Sequence, residues 1–179
     1  MDNSPALQLI TIIILLALSA FFSSSETALT TVSHLKLRSL ADEGNKKAKK
    51  VLKVTENSSK LLSAILVGNN IVNISASALA TTFCTNMFGS KYIGISTGIL
   101  TFLVLIFGEI SPKTLATQYA LQLSMVVVYP ISWLMTILTP VIFLLNILTG
   151  VIFKLFRVDP SAKKASITEA ELRTIVNVS

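Results

Sequence analysis

The sequence predicts an all-α integral membrane domain, with three transmembrane helices accompanied by short juxtamembrane and re-entrant helices. Three observations carry this prediction. Hydrophobic residues make up 52% of the chain and charged residues only 13%, about half the charge fraction of a soluble domain. Long uncharged runs recur, and each is closed by a polar or basic break. The basic residues are also unevenly spread: Lys36, Arg38, Lys46, Lys47, Lys49, Lys50, Lys53 and Lys60 are eight of the fifteen. The single cysteine, Cys84, lies in an apolar stretch, so no disulfide framework is expected. The one histidine, His34, falls among basic residues and reads as solvated.

The first span begins at Leu7, is apolar to Phe22, and reaches spanning length if it continues to about Leu29. No Lys or Arg precedes it and no small-x-small site closes it, so it does not read as a cleaved signal peptide. Its inner end, FFSSSETAL, interrupts the apolar pattern. On a helix, Ser19, Ser23 and Glu26 or Thr27 share one face. Such a row serves as a polar helix end, as an interhelical contact, or as a set of oxygen ligands.

From Val32 to Lys60 the character turns basic, with Leu35, Leu37, Leu40, Val51 and Leu52 interspersed. This pattern predicts short amphipathic helices against anionic headgroups. A nucleic-acid partner is not expected, because no aromatic is interleaved to stack on a base. The positive-inside rule makes the segment cytoplasmic and sets the N-terminus outside.

Leu61–Phe83 is the second predicted span. Asn69, Asn70 and Asn73 occur together within it, and Asn69, Asn73 and Ser77 fall on one face. Their amides supply either neutral oxygen ligands or interhelical hydrogen bonds. A turn over Thr85–Lys91, broken at Gly89, leads into the third span, Tyr92–Phe107. That span ends in Phe107-Gly108-Glu109-Ile110-Ser111-Pro112-Lys113. A carboxylate at the end of so apolar a run is a functional candidate. Pro112 has no N–H for the carbonyl of Gly108, so a kink with an exposed carbonyl is expected beside Glu109.

Between Tyr119 and Phe156, Pro130 and Pro140 break the apolar pattern. Lys154, Arg157, Lys163 and Lys164 make the far end cytoplasmic, as at Lys113, so an even number of crossings must intervene. A re-entrant or interfacial helical hairpin meets that condition, with Tyr129 and Trp133 as interface anchors. Thr168 and Glu171 have capping-box spacing and predict a helix start. The domain is therefore read as residues 1–165, followed at 166–179 by the first helix of a cytoplasmic region.

Taken in order, FFSSSETAL, VGNNIVN and FGEISPK resemble the transmembrane domain of the CNNM/CorC family of magnesium transporters, over essentially the whole chain. The resemblance implies a homodimer of three-span protomers in the cell membrane. It also implies a following CBS-domain pair, through which alone ATP would act. Ser23, Asn73 and Glu109 are implied as Mg²⁺ ligands, assisted by backbone carbonyls such as that of Gly108. Asn69 matches a motif position of the same site. Sodium-coupled export of Mg²⁺, by alternating access about Gly108 and Pro112, is the implied activity, with Na⁺ as a second ion. The donor chemistry agrees, since Mg²⁺ takes about six oxygens including one or two carboxylates. A membrane-embedded Mg²⁺ sensor or scaffold, regulating a partner without conducting ions, is the second reading. An enzyme is not expected: no Asp pair, Ser–His pair or HExxH motif is present.

Overall fold

The chain is described by a computed structural model over residues 4–155, with side chains through Ile152. The helix start predicted at Thr168 lies outside the described residues. Among the described residues every regular element is helical.

Helix α1 spans Pro5–Thr31. The Ser4 side chain accepts a hydrogen bond from the Leu7 N–H, and Pro5 occupies the first turn, where its missing donor is not needed. The serine-rich stretch stays helical because its hydroxyls fold back on the preceding turn. Ser25 donates to the Phe21 carbonyl at 2.6 Å, Thr27 to Ser23 at 3.2 Å and Thr31 to Thr27 at 2.7 Å. The helix stops where Val32 turns extended.

Two short helices follow, α2 (His34–Asp42) and α3 (Lys46–Thr55). Gly44, at φ 94°, turns the chain between them, and the Asn45 side chain caps α3 by accepting from Lys47 and Ala48. The expected amphipathic helices are present, but their apolar stripe is used differently. Leu37, Ala41, Ala48, Val51 and Val54 are buried within the protein, with α3 packed on α2 and α7 (Ala120–Ile137). The reason is spacing: 48, 51, 54 and 55 form one face that neighbouring helices cover, leaving Lys46, Lys47, Lys49 and Lys53 outward. Leu35 is the exception, at 80% exposed.

Helix α4 (Ser58–Phe88) is capped by Asn57 and stopped at Gly89, whose φ of 86° suits glycine. Gly89 thus breaks the chain where expected, and α4 runs five residues beyond the predicted end of the span, to Phe88. The third apolar stretch, Ser90–Gln118, is helical throughout but not uniform. A single 3₁₀ turn leads into α5 (Ile93–Leu103), then a π-helical turn (Val104–Ile110), then α6 (Ser111–Gln118). The irregularity expected at Pro112 therefore precedes it. The Ser111 N–H reaches back five residues to the Ile106 carbonyl. This widened turn delivers the chain to Pro112, which sits in the first turn of α6, where no donor is required.

Helix α7 contains Pro130, and its buried residues Ser124, Val127, Val128, Ile131 and Met135 follow helical spacing. Leu138 ends it. Helix α8 (Thr139–Leu155) belongs to a separate unit and is apolar from Thr139 to Ile152.

By length and composition four helices can cross a membrane: α1, α4, Ser90–Gln118 and α7. The last does not run the length of the others. A Cβ placed on Gly68 would lie 3.4 Å from Leu134 Cδ2, so Leu134, near the end of α7, is level with Gly68. Gly68 is only about 15 Å along α4 from its start beside the basic helices. Helix α7 packs its flank on α3 and carries its Leu134 end to the level of Gly68. Helix α1 is the hub, packing against α4, the π turn, α6 and α7.

Candidate cation site

The site is built on one stripe of α1. Ser19 and Ser23 are buried, and Glu26 lies one turn further toward the basic end. Ser19 Oγ donates to Asn69 Oδ1 of α4 at 3.4 Å. On its other side stands Gly108 of the π turn. A Cβ on Gly108 would fall 2.9 Å from Ser19 Oγ and 3.3 Å from Ser19 Cβ. Only glycine lets the backbone come so near, so Ser19 joins three segments at one point. Gly68 does the same for the ring of Phe22, whose Cζ would be 2.8 Å from a Cβ there.

Among the described residues two buried side-chain oxygens have no protein partner, Ser23 Oγ and Asn73 Oδ1, one helical turn to either side of this junction. Buried polar atoms are nearly always paired, and leaving one open costs about 1–3 kcal/mol. An open hydroxyl oxygen and an open amide oxygen are both ligand types for a hard cation. Asn73 also lines a cavity of ≈ 220 Å³ between α4 and α5, with Ser77, Thr81, Ser96, Thr97 and Thr101. The Ser77 and Thr97 hydroxyls donate to the carbonyls of Asn73 and Ile93, so their protons are engaged and oxygen lone pairs remain.

At the end nearer the basic helices, the carboxylate enters. Lys113 Nζ lies 3.2 Å from Glu109 Oε1, one helical turn away, and 3.6 Å from Glu26 Oε2 across on α1. All three side chains are about two-fifths exposed.

The predicted residues thus fall into three positions. Asn69 and Gly108 flank Ser19; Ser23 and Asn73 carry open oxygens; Glu109 is engaged by Lys113. Three participants escaped the sequence-based site: Ser19, Glu26 and Lys113. Two signals for them were available, the shared face of Ser19, Ser23 and Glu26, and the i,i+4 spacing of Glu109 and Lys113. Among the described residues no three His, Cys, Asp or Glu side chains converge. The candidate donors are hydroxyl, amide and carbonyl oxygens with the carboxylate of Glu109, a second carboxylate, Glu26, standing across Lys113; oxygen donors of this kind suit an alkali or alkaline-earth cation.

Across residues 10–179 the sequence matches the cyclin M transmembrane N-terminal domain, CNNM. The chain belongs to the CNNM family. It is 44% identical over 144 residues to a UPF0053 protein of Haemophilus influenzae, covering 74% of this chain and 34% of that protein. The UPF0053 inner membrane protein YfjD of Escherichia coli is 44% identical over 115 residues, 64% of this chain and 26% of the relative. A chloroplastic DUF21 domain-containing protein of Arabidopsis thaliana is 37% identical over 121 residues, covering 67% and 18%. The CNNM chain therefore spans about a third or less of these relatives. With its apolar helices, it is a multi-pass membrane domain. The stretch identified from FFSSSETAL, VGNNIVN and FGEISPK is the CNNM domain the resemblance implied.

Proposed function

We propose that this CNNM domain carries Mg²⁺ across the membrane by alternating access, in exchange for Na⁺. The observation behind the reading is the pair of buried, unpartnered oxygens, Ser23 Oγ and Asn73 Oδ1, flanking the Ser19–Asn69–Gly108 junction. In this reading Mg²⁺ sheds part of its hydration shell and takes oxygens in turn, from Glu109 and Ser23 on the basic side of the Ser19–Asn69 contact and then from Asn73 one turn beyond it. The Asn69 amide and the Gly108 carbonyl complete the set. One carboxylate among neutral oxygens gives a modest affinity, which a carrier needs because it must release what it captures.

The basic end of α3 is taken as cytoplasmic, with the N-terminus outside. The ion then enters past Glu109 and leaves along the cavity lined by Asn73, Ser77 and Thr81. Repacking around the π turn supplies the change of access, as broken helices do in carriers with a central site. Two copies of the chain associate through their spans.

The test is Mg²⁺ flux in proteoliposomes, with and without an opposing Na⁺ gradient. Na⁺-dependent Mg²⁺ movement that Glu109→Gln abolishes is expected. Mg²⁺ binding without any flux would overturn transport in favour of a sensor. Flux untouched by Glu109→Gln would remove the site from these residues.

A further inference from the structure

Lys113 stands between two carboxylates on different helices, 3.2 Å from Glu109 and 3.6 Å from Glu26. It is the charge closest to the carboxylate proposed as the ion's ligand. We infer that Lys113 is a tethered counter-ion that competes with the cation for Glu109 and is handed to Glu26 when the cation binds. The inference rests on the reading of Glu109 as a ligand.

The physical argument concerns charge. Glu26, Glu109 and Lys113 together carry one net negative charge. Without a cation, the ammonium compensates Glu109 at the end of an apolar helix, where an uncompensated carboxylate is costly. A dication on Glu109 would face the ammonium within about 4 Å, a strong repulsion in such surroundings. Lysine relieves it readily, since its charge rides on a flexible four-carbon stem with rotatable donors. Its alternative acceptor is already in reach on α1, three residues along from Ser23. A hop between the two acceptors therefore exchanges an α6–π-turn contact for an α6–α1 contact. Lys113 is thus a positioning residue: it acts on the ion through Glu109.

The experiment is titration of MgCl₂ into the purified chain in detergent, followed by calorimetry. Lys113→Met keeps the stem and removes the charge, and is expected to tighten Mg²⁺ binding at least about fivefold. Lys113→Arg, which keeps the charge, is expected to bind no tighter than wild type. Glu26→Gln strands the ammonium on Glu109 and is expected to weaken binding about threefold in the wild-type background. In the Lys113→Met background it should have little effect, because the cycle reports the coupling of the two residues. Unchanged or weaker binding in Lys113→Met overturns the inference, as does an equal Glu26→Gln effect in both backgrounds. If Lys113→Met does not fold, the ¹⁵Nζ resonance of Lys113, assigned through Lys113→Arg, decides the matter. It should move on Mg²⁺ addition in wild type and stay put in Glu26→Gln; a fixed wild-type resonance overturns the hand-over. Failure of the ligand reading is separately visible, as Mg²⁺ binding that survives Glu109→Gln.

Discussion

Gly108→Ala tests the geometry on which the site depends. The added Cβ would lie 2.9 Å from Ser19 Oγ and 3.3 Å from Ser19 Cβ, against an ordinary carbon contact of about 3.5–4.0 Å. Turning the Ser19 hydroxyl away does not relieve the Cβ contact, and it breaks the bond to Asn69. The π turn and α1 must therefore separate by several tenths of an ångström. Overpacking of this kind costs about 1–3 kcal/mol, while alanine recovers at most about 1 kcal/mol over glycine in a helix. The net expectation is a loss of about 1–2 kcal/mol, or roughly 3–6 °C in thermal midpoint for a domain of this size. Thermal unfolding in detergent, followed by circular dichroism, measures it. Adding Ser19→Ala removes the nearer of the two contacts and should restore at least half of the loss. A Gly108→Ala protein as stable as wild type, or a double variant no better than the single, would refute the close approach of the π turn to α1.

Three further outcomes are expected. Ser23→Ala deletes a buried hydroxyl that has no protein partner, so in cation-free buffer it should raise the midpoint by about 2–4 °C while reducing the Mg²⁺-dependent shift; a cation-free drop would mean the hydroxyl is paired. Of the small residues Ser75, Ala76, Ala78 and Ala80 of α4 and Gly94, Ser96 and Gly98 of α5, all but the buried Ala76 are open to close approach by a second copy, so light scattering in detergent should report a dimer, and a monomer at all concentrations would exclude one. Cysteines at Ser23 and Ser111, in a Cys84→Ala background, should react with impermeant thiol reagents from the cytoplasmic side; labelling from the outside alone in Mg²⁺ would reverse the assigned access.

Much of the architecture is local and was legible in the sequence. Uncharged length determined α1, α4 and the third span, because burying backbone in lipid demands continuous helix. Side-chain caps and backbone freedom set several ends: Gly89 stops α4 through a positive φ that other residues resist, and the basic amphipathic segment folds as α2 and α3. Each of these signals acts within four or five residues. The polar stations Ser23, Asn69, Asn73 and Glu109 were likewise visible as misfits in apolar runs. Their mutual arrangement was not. Whether Ser19 meets Asn69, fifty residues away, depends on how α1 and α4 rotate about their axes, and small residues on several faces leave that rotation open. The partner of Lys113 on α1 depends on the same rotation. So does the placement of α7: its hydropathy reads alike whether it crosses or stops, and only the packing brings Leu134 level with Gly68. The π turn belongs here as well. Pro112 announces that the helical ladder must change, but the widening settles at Val104–Ile110, where glycine lets the backbone close on Ser19.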